Sequence, residues 1–237
     1  MVDVKKQRRE ISKLIGHSFR ANAVTGVSFR IVGRREAEKV VGGGEIAPAF
    51  VHPGVKVLFL VDEELENISM EDLFMLVNHE LGHLSITPIN PKGNYFEALY
   101  IVDNILHRRD GALPAVFGPN GNFLNMLQDT LLNIVQCFDD KKLNIGIYKN
   151  WYAKGLVSMY EQFIRNASGP VTMRSGFHLL LSRDAGKVAL GRSAEYGDVV
   201  REIRDLGITR YMKDEEYFPR WGEYIKILMR EGMSFGI

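Results

Sequence analysis

Residues 55–83 read VKVLFLVDEELENISMEDLFMLVNHELGH, and this stretch decides the fold. Val55–Val61 is apolar apart from Lys56 and rich in branched side chains, which predicts a buried strand at the centre of a sheet. A helix start follows. Ser69 precedes Asp72 by three residues, close to a capping box, and Glu71 and Asp72 place acid in the first turn, where the helix dipole favours it. Leu73, Leu76, Val77, Leu81 and Leu84 then recur at helical spacing. Pro88 ends the pattern, because the residue before a proline is biased away from the α region.

Upstream, Val27–Val32 (VSFRIV) has strand composition. Glu45–Val51 (EIAPAFV) reads as a second strand, and Pro48, which lacks an N–H to donate, puts it at a sheet edge. A short helix with a basic face is expected over Lys5–Ile15, and Gly42–Gly44 is a break. Downstream the pattern is helical: about 95–108, 122–140, 151–166, near 176–181, 199–206 and 217–230. The expected fold class is α+β, with a small N-terminal mixed sheet carrying an edge strand, one motif-bearing helix and a mostly helical C-terminal part. The reading divides the chain into a core over 1–142 and a helical region over 143–237 packing on it as one compact unit.

Composition narrows the function classes. With 30 Lys+Arg against 29 Asp+Glu the formal net charge is +1, so no global basic field makes nucleic acid the default partner. One cysteine, Cys137, excludes an intrachain disulfide and fits a reducing, cytoplasmic setting better than a secreted one. The basic N-terminus is followed by no apolar stretch of signal-peptide kind, and no window reaches the roughly 18–20 apolar residues of a membrane span. The sequence carries no indication of oligomeric state.

The chemistry lies in His79-Glu80-Leu81-Gly82-His83, an HExxH pattern. On a helix, residues i and i+4 share a face, so the two imidazoles can bind one metal ion from adjacent positions. Glu80 can then act as general base on a metal-activated water. From Val77 to Ser85 the only charged residue is Glu80, unlike a solvated helix face. Gly82 costs about 1 kcal/mol of helix propensity against Ala, so a close approach by another backbone is expected there.

A two-histidine site needs a third ligand, and two candidates stand. Asn125, Asp129 and Asn133 form an i, i+4, i+8 stripe bordered by Gln128 and Gln136 on an otherwise apolar helix. A carboxylate flanked by amides suits a metal ligand held by its neighbours, so Asp129 is the preferred choice. Glu97, among Phe96, Ala98 and Leu99, is the other; Asp103 reads as a surface carboxylate. Tyr95, His178 and Tyr196 are candidates for stabilising an oxyanion, and the sequence nominates none of them.

HELGH on a capped helix, after a strand and an edge strand, resembles the zincin metallopeptidases, with the likeness covering Val27–Gln136. The later Asn125-x-x-x-Asp129-x-x-x-Asn133 is similar to members in which Asp replaces the usual third-ligand Glu, whereas Glu97-Ala98 resembles repressor-cleaving peptidases. The resemblance implies a Zn²⁺ cofactor held by His79, His83 and Asp129, Glu80 as general base, and hydrolysis of a peptide or protein substrate paired along the edge strand. The alternative is a peptidase-like fold that binds metal and acts as a regulatory or protein-binding module with little turnover.

Overall fold

The structure is a computed structural model that describes residues 4–21, 26–42, 46–52, 57–65, 68–83, 122–139, 150–208 and 214–231. The described elements are α1 (Val4–Ala21), β1 (Ser28–Val32), α2 (Arg34–Val41), β2 (Ala49–His52), β3 (Val57–Val61), α3 (Asp62–Leu65), α4 (Met70–His83), α5 (Asn122–Asp139), α6 (Trp151–Asn166), α7 (Met173–Ala189), α8 (Gly197–Asp205) and α9 (Asp214–Arg230). The class is α+β, with a three-stranded sheet among helices.

The sheet order is β1-β3-β2; β1 runs parallel to β3 and β2 antiparallel to it. β3 is central because both its faces are covered. Leu58 and Leu60 enter the main core, while Val57, Phe59 and Val61 form a second cluster with Ala37 of α2 and Val32 of β1. A strand buried on two faces loses the polar alternation, hence the unbroken VLFLV run. β2 lies at the edge and is shorter than expected. Pro48 falls just before it, and its carbonyl accepts from Val61 N at 2.9 Å although its nitrogen cannot donate.

α4 is the axis of the molecule. Its start is the expected reciprocal cap: Asp72 N donates to Ser69 Oγ at 3.0 Å, and that hydroxyl donates to Asp72 Oδ2 at 2.6 Å. Leu73, Phe74, Met75, Val77 and Leu81 are buried, against α1 and β3 on one side and α5 and α6 on the other. The approach of α6 is closest at Gly155, where a Cβ would stand 2.9 Å from the Glu71 carbonyl oxygen and 2.7 Å from Met75 Cβ. One core cluster runs from Ile11 and Leu14 through α4 and α5 to Tyr224 and Leu228. The C-terminal helices therefore share their interior with the motif-bearing helix.

Several elements depart from expectation for physical reasons. α1 continues beyond Ile15 to Ala21, and α7 extends from Met173 to Ala189 with a non-helical Gly176 inside it. α2 was not expected: RREAEKVV is short and charged, and only Ala37 of it is buried. Tertiary contact supports it at its start, where Arg34 N donates to the Glu63 carboxylate at 3.0 and 3.2 Å. The helix expected over 95–108, with Tyr95, Glu97 and Asp103, and the helix end expected at Pro88 lie outside the described residues.

Candidate metal centre

His79 and His83 occupy the last turn and a half of α4, one turn apart. Their Nε2 atoms converge at 3.2 Å. α5 brings Asp129 to the same point: its Oδ1 lies 3.3 Å from His79 Nε2 and 3.1 Å from His83 Nε2. Glu80 also offers a carboxylate oxygen within 4.8 Å of the histidine nitrogens. The three side chains His79, His83 and Asp129 are 12%, 15% and 25% exposed, so the cluster is recessed but open to solvent.

α5 is held in register by a contact that explains Gly82. A Cβ at Gly82 would overlap Leu132 Cδ1 and Gln136 Nε2 of α5. Without one, Gln136 Nε2 reaches the Asn78 carbonyl and donates to it at 2.7 Å. Asp129, Asn133 and Gln136 thus share the α5 face that meets α4. The close approach at Gly82 is made by side chains of the neighbouring helix and not, as the sequence suggested, by another backbone. At the other end of α5, Tyr224 of α9 donates its hydroxyl to the Leu127 carbonyl at 3.0 Å.

Asn133 is fully buried and is the hub beneath the cluster. Its Oδ1 accepts from Tyr152 OH at 2.9 Å and lies 2.9 Å from His79 Nδ1. Its Nδ2 donates to Tyr160 OH at 2.9 Å and to Ser182 Oγ at 3.0 Å. An amide oxygen only accepts, so His79 carries its proton on Nδ1 and presents a lone pair at Nε2 when neutral. Of the amide stripe, Asp129 and Asn133 both reach the cluster, though Asn133 bonds His79 rather than Asp129; Asn125 lies on α5 with them. Tyr152, Tyr160 and Ser182 were not singled out from the sequence, where nothing at short range marks them.

The electrostatics follow from this crowding. Burial lowers the pKa of His79, but the hydrogen bond and charge of Asp129, with Glu80 and Asn133, outweigh it and raise the group to about 9. Burial raises Asp129, and the two imidazoles overcome that and hold its carboxyl well below the usual carboxylate range. Tyr160 is pushed up to about 12 by burial and by the Asp129 charge, so its hydroxyl stays protonated. His178 on α7 is lowered by burial.

Glu80 is positioned by the sheet. Val51 N of β2 donates to Glu80 Oε2 at 3.0 Å. Because Val61 N bonds Pro48 O, the alternation of an antiparallel ladder turns the backbone groups of Ala49 and Val51 away from β3. The edge of β2 that pairs with no described strand therefore faces α4, and one of its outward donors holds the Glu80 carboxylate.

The donor set can be tested against a metal ion. Tetrahedral N and O ligands at 2.0–2.1 Å from an ion stand about 3.3–3.4 Å apart. The separations of 3.1, 3.2 and 3.3 Å form a triangle close to one face of that tetrahedron. His79, Glu80 and His83 form a group that could hold a metal ion, and Asp129 stands against both histidines. No family model, curated protein or solved structure matches the chain.

Proposed function

We propose that the chain is a zinc-dependent peptidase. The observation that carries this reading is the triangle of His79 Nε2, His83 Nε2 and Asp129 Oδ1, with Glu80 beside it at the free edge of β2. Two imidazoles and a carboxylate suit Zn²⁺ in an open site. When bound, the ion acidifies water and polarises a carbonyl. Asn133 keeps the His79 lone pair directed at the ion. Glu80 takes a proton from the attacking water at its carboxylate and passes it to the departing amine. Ala49 and Val51 offer outward backbone groups to an extended peptide, which aligns its carbonyl over the site. Glu97 remains the competing third ligand of the sequence reading.

The second reading, a metal-binding regulatory module with little turnover, draws support from one contact. Glu80 is engaged by Val51 N, so base and edge strand are tied together unless a substrate separates them. One experiment decides between the two. Protein purified without added metal is assayed for zinc, and an unfolded protein is incubated with it with and without chelator. Zinc near one per chain, lost in the His79→Ala/His83→Ala double variant, and chelator-sensitive cleavage absent in Glu80→Gln, support the peptidase. Tight zinc without cleavage supports the module. Zinc retained in the double variant removes both.

A further inference from the structure

Beside the metal centre lies a cavity of about 750 Å³ between the segment leading into β2, α4 and α6. We propose that it is a side-chain pocket that selects lysine or arginine in the peptide substrate, with Asp72 receiving the cationic head. The proposal rests on the peptidase reading for the word substrate, and on the cavity alone for the cation.

Its place comes first. Asp72, Leu76 and Glu80 follow each other at i, i+4 and i+8 along one stripe of α4, and the first two line the cavity. At 1.5 Å per residue, Leu76 sits about 6 Å and Asp72 about 12 Å from Glu80 along the helix. The opposite wall includes Ile46, Ala47 and Pro48, which run straight into β2. From Val51 back to Ala47, through β2 and the two residues before it, an extended chain covers about 13 Å at 3.3 Å per residue, close to the same distance. A peptide extended along the free edge of β2 therefore crosses the cavity within about three or four residues of the bond beside Glu80.

Its chemistry comes second. Ile68, Leu76, Met159 and Phe163 give the cavity apolar walls suited to an aliphatic stem. Phe163 is 49% exposed, an uncovered aromatic at the rim. Among the described residues, no lysine, arginine or histidine lines the cavity, and two carboxylates do. Glu64 is paired with Arg34. Asp72 uses Oδ2 for the Ser69 hydroxyl, while its buried Oδ1 has no hydrogen-bond partner among the described residues. That oxygen has no accessible surface, so an incoming ammonium or guanidinium meets the carboxylate at Oδ2, beside the Ser69 hydroxyl. The walls and the charge together match a long stem ending in a cation and disfavour an acidic side chain.

The test uses two peptides identical but for Lys or Leu at the selected position, found by mapping cleavage sites in an unfolded protein. The expected result is enrichment of Lys and Arg within four residues of the cut and a kcat/KM ratio of at least about tenfold for the Lys peptide. Asp72→Asn preserves the acceptor for Ser69 and should bring the ratio to within about twofold. Met159→Lys places a cation in the cavity and should invert it. The same pair, fluorescently tagged, is titrated into zinc-loaded Glu80→Gln protein, where at least about fivefold tighter binding of the Lys peptide is expected, lost on adding Asp72→Asn. Cleavage without cationic preference, or a ratio that neither variant moves, overturns the pocket and leaves the peptidase standing. Absence of cleavage with Asp72-dependent binding of the Lys peptide overturns the peptidase and leaves the pocket.

Discussion

Replacing Asn133 by Ala is the sharpest probe of how the centre is built. The substitution removes an acceptor from two donors, His79 Nδ1–H and Tyr152 O–H, and a donor from Tyr160 and Ser182. The two hydroxyl oxygens can turn to each other or to water; the two orphaned donors are the larger loss, at about 1–3 kcal/mol each when buried. With the small cavity added, the loss of stability should be about 3–7 kcal/mol, a substantial part of the 5–15 kcal/mol typical of a domain. Metal affinity should fall about 10–100-fold, because His79 is freed to rotate and to move its proton to Nε2. Asn133→Asp separates the two effects, since it keeps both acceptor contacts and should bind zinc more tightly than the Ala variant. Urea unfolding of metal-free protein gives the first quantity and chelator competition the second. An Ala variant that keeps zinc affinity within twofold of wild type would refute the argument that the hub sets the His79 tautomer.

Other outcomes follow from neighbouring contacts. Glu80→Gln should keep metal content and fold, since an amide oxygen can still accept from Val51 N, while cleavage is lost; loss of zinc in that variant would count against Glu80 as base. Gly82→Ala should destabilise by about 1–2 kcal/mol net, overpacking against Leu132 and Gln136 exceeding the gain in helix propensity, with a lower urea midpoint as the readout and an unchanged midpoint as the refutation. In metal-stripped protein the raised His79 pKa stabilises fully below its ordinary 6.5, and that contribution disappears as pH rises towards about 9. The depressed Asp129 contributes above its ordinary 3.8 and loses that on acidification, so the stripped protein should be most stable between about pH 4 and 6.5. Zinc-loaded protein should gain stability over pH 6.5–9, because the ion competes with the His79 proton; urea midpoints that rise with pH for the stripped protein over this interval would contradict the sign.

What the sequence disclosed and what it hid divide by range. The Ser69–Asp72 cap, the apolar run of β3 and the proline before β2 are local signals, and each has its expected structural counterpart. Asp129 was readable because an amide-flanked carboxylate interrupts an apolar helix, and it stands against both histidines. Tyr152, Tyr160 and Ser182 were not readable, because their meaning depends on a bond to Asn133 from 19, 27 and 49 residues away. α2 was hidden for a different reason: five of its eight residues are charged, and its one buried residue, Ala37, is among the least conspicuous of apolar side chains. Gly82 was legible as a demand for close approach, but not as a window for Gln136 onto the Asn78 carbonyl.

The hub also fixes an order in time. All three donors of the triangle have been synthesised once Asp129 is in the chain, but Ser182 follows Asn133 by 49 residues. At roughly 5–20 residues per second, translation needs about 2–10 s to supply it. Through that interval a nascent chain holds its two imidazoles and carboxylate without the frame that orients them. On the metal-binding reading, an ion captured then would be held more loosely and exchange with the cellular pool, so under scarce metal the final loading would be set after α7 has docked rather than while the ligands emerge.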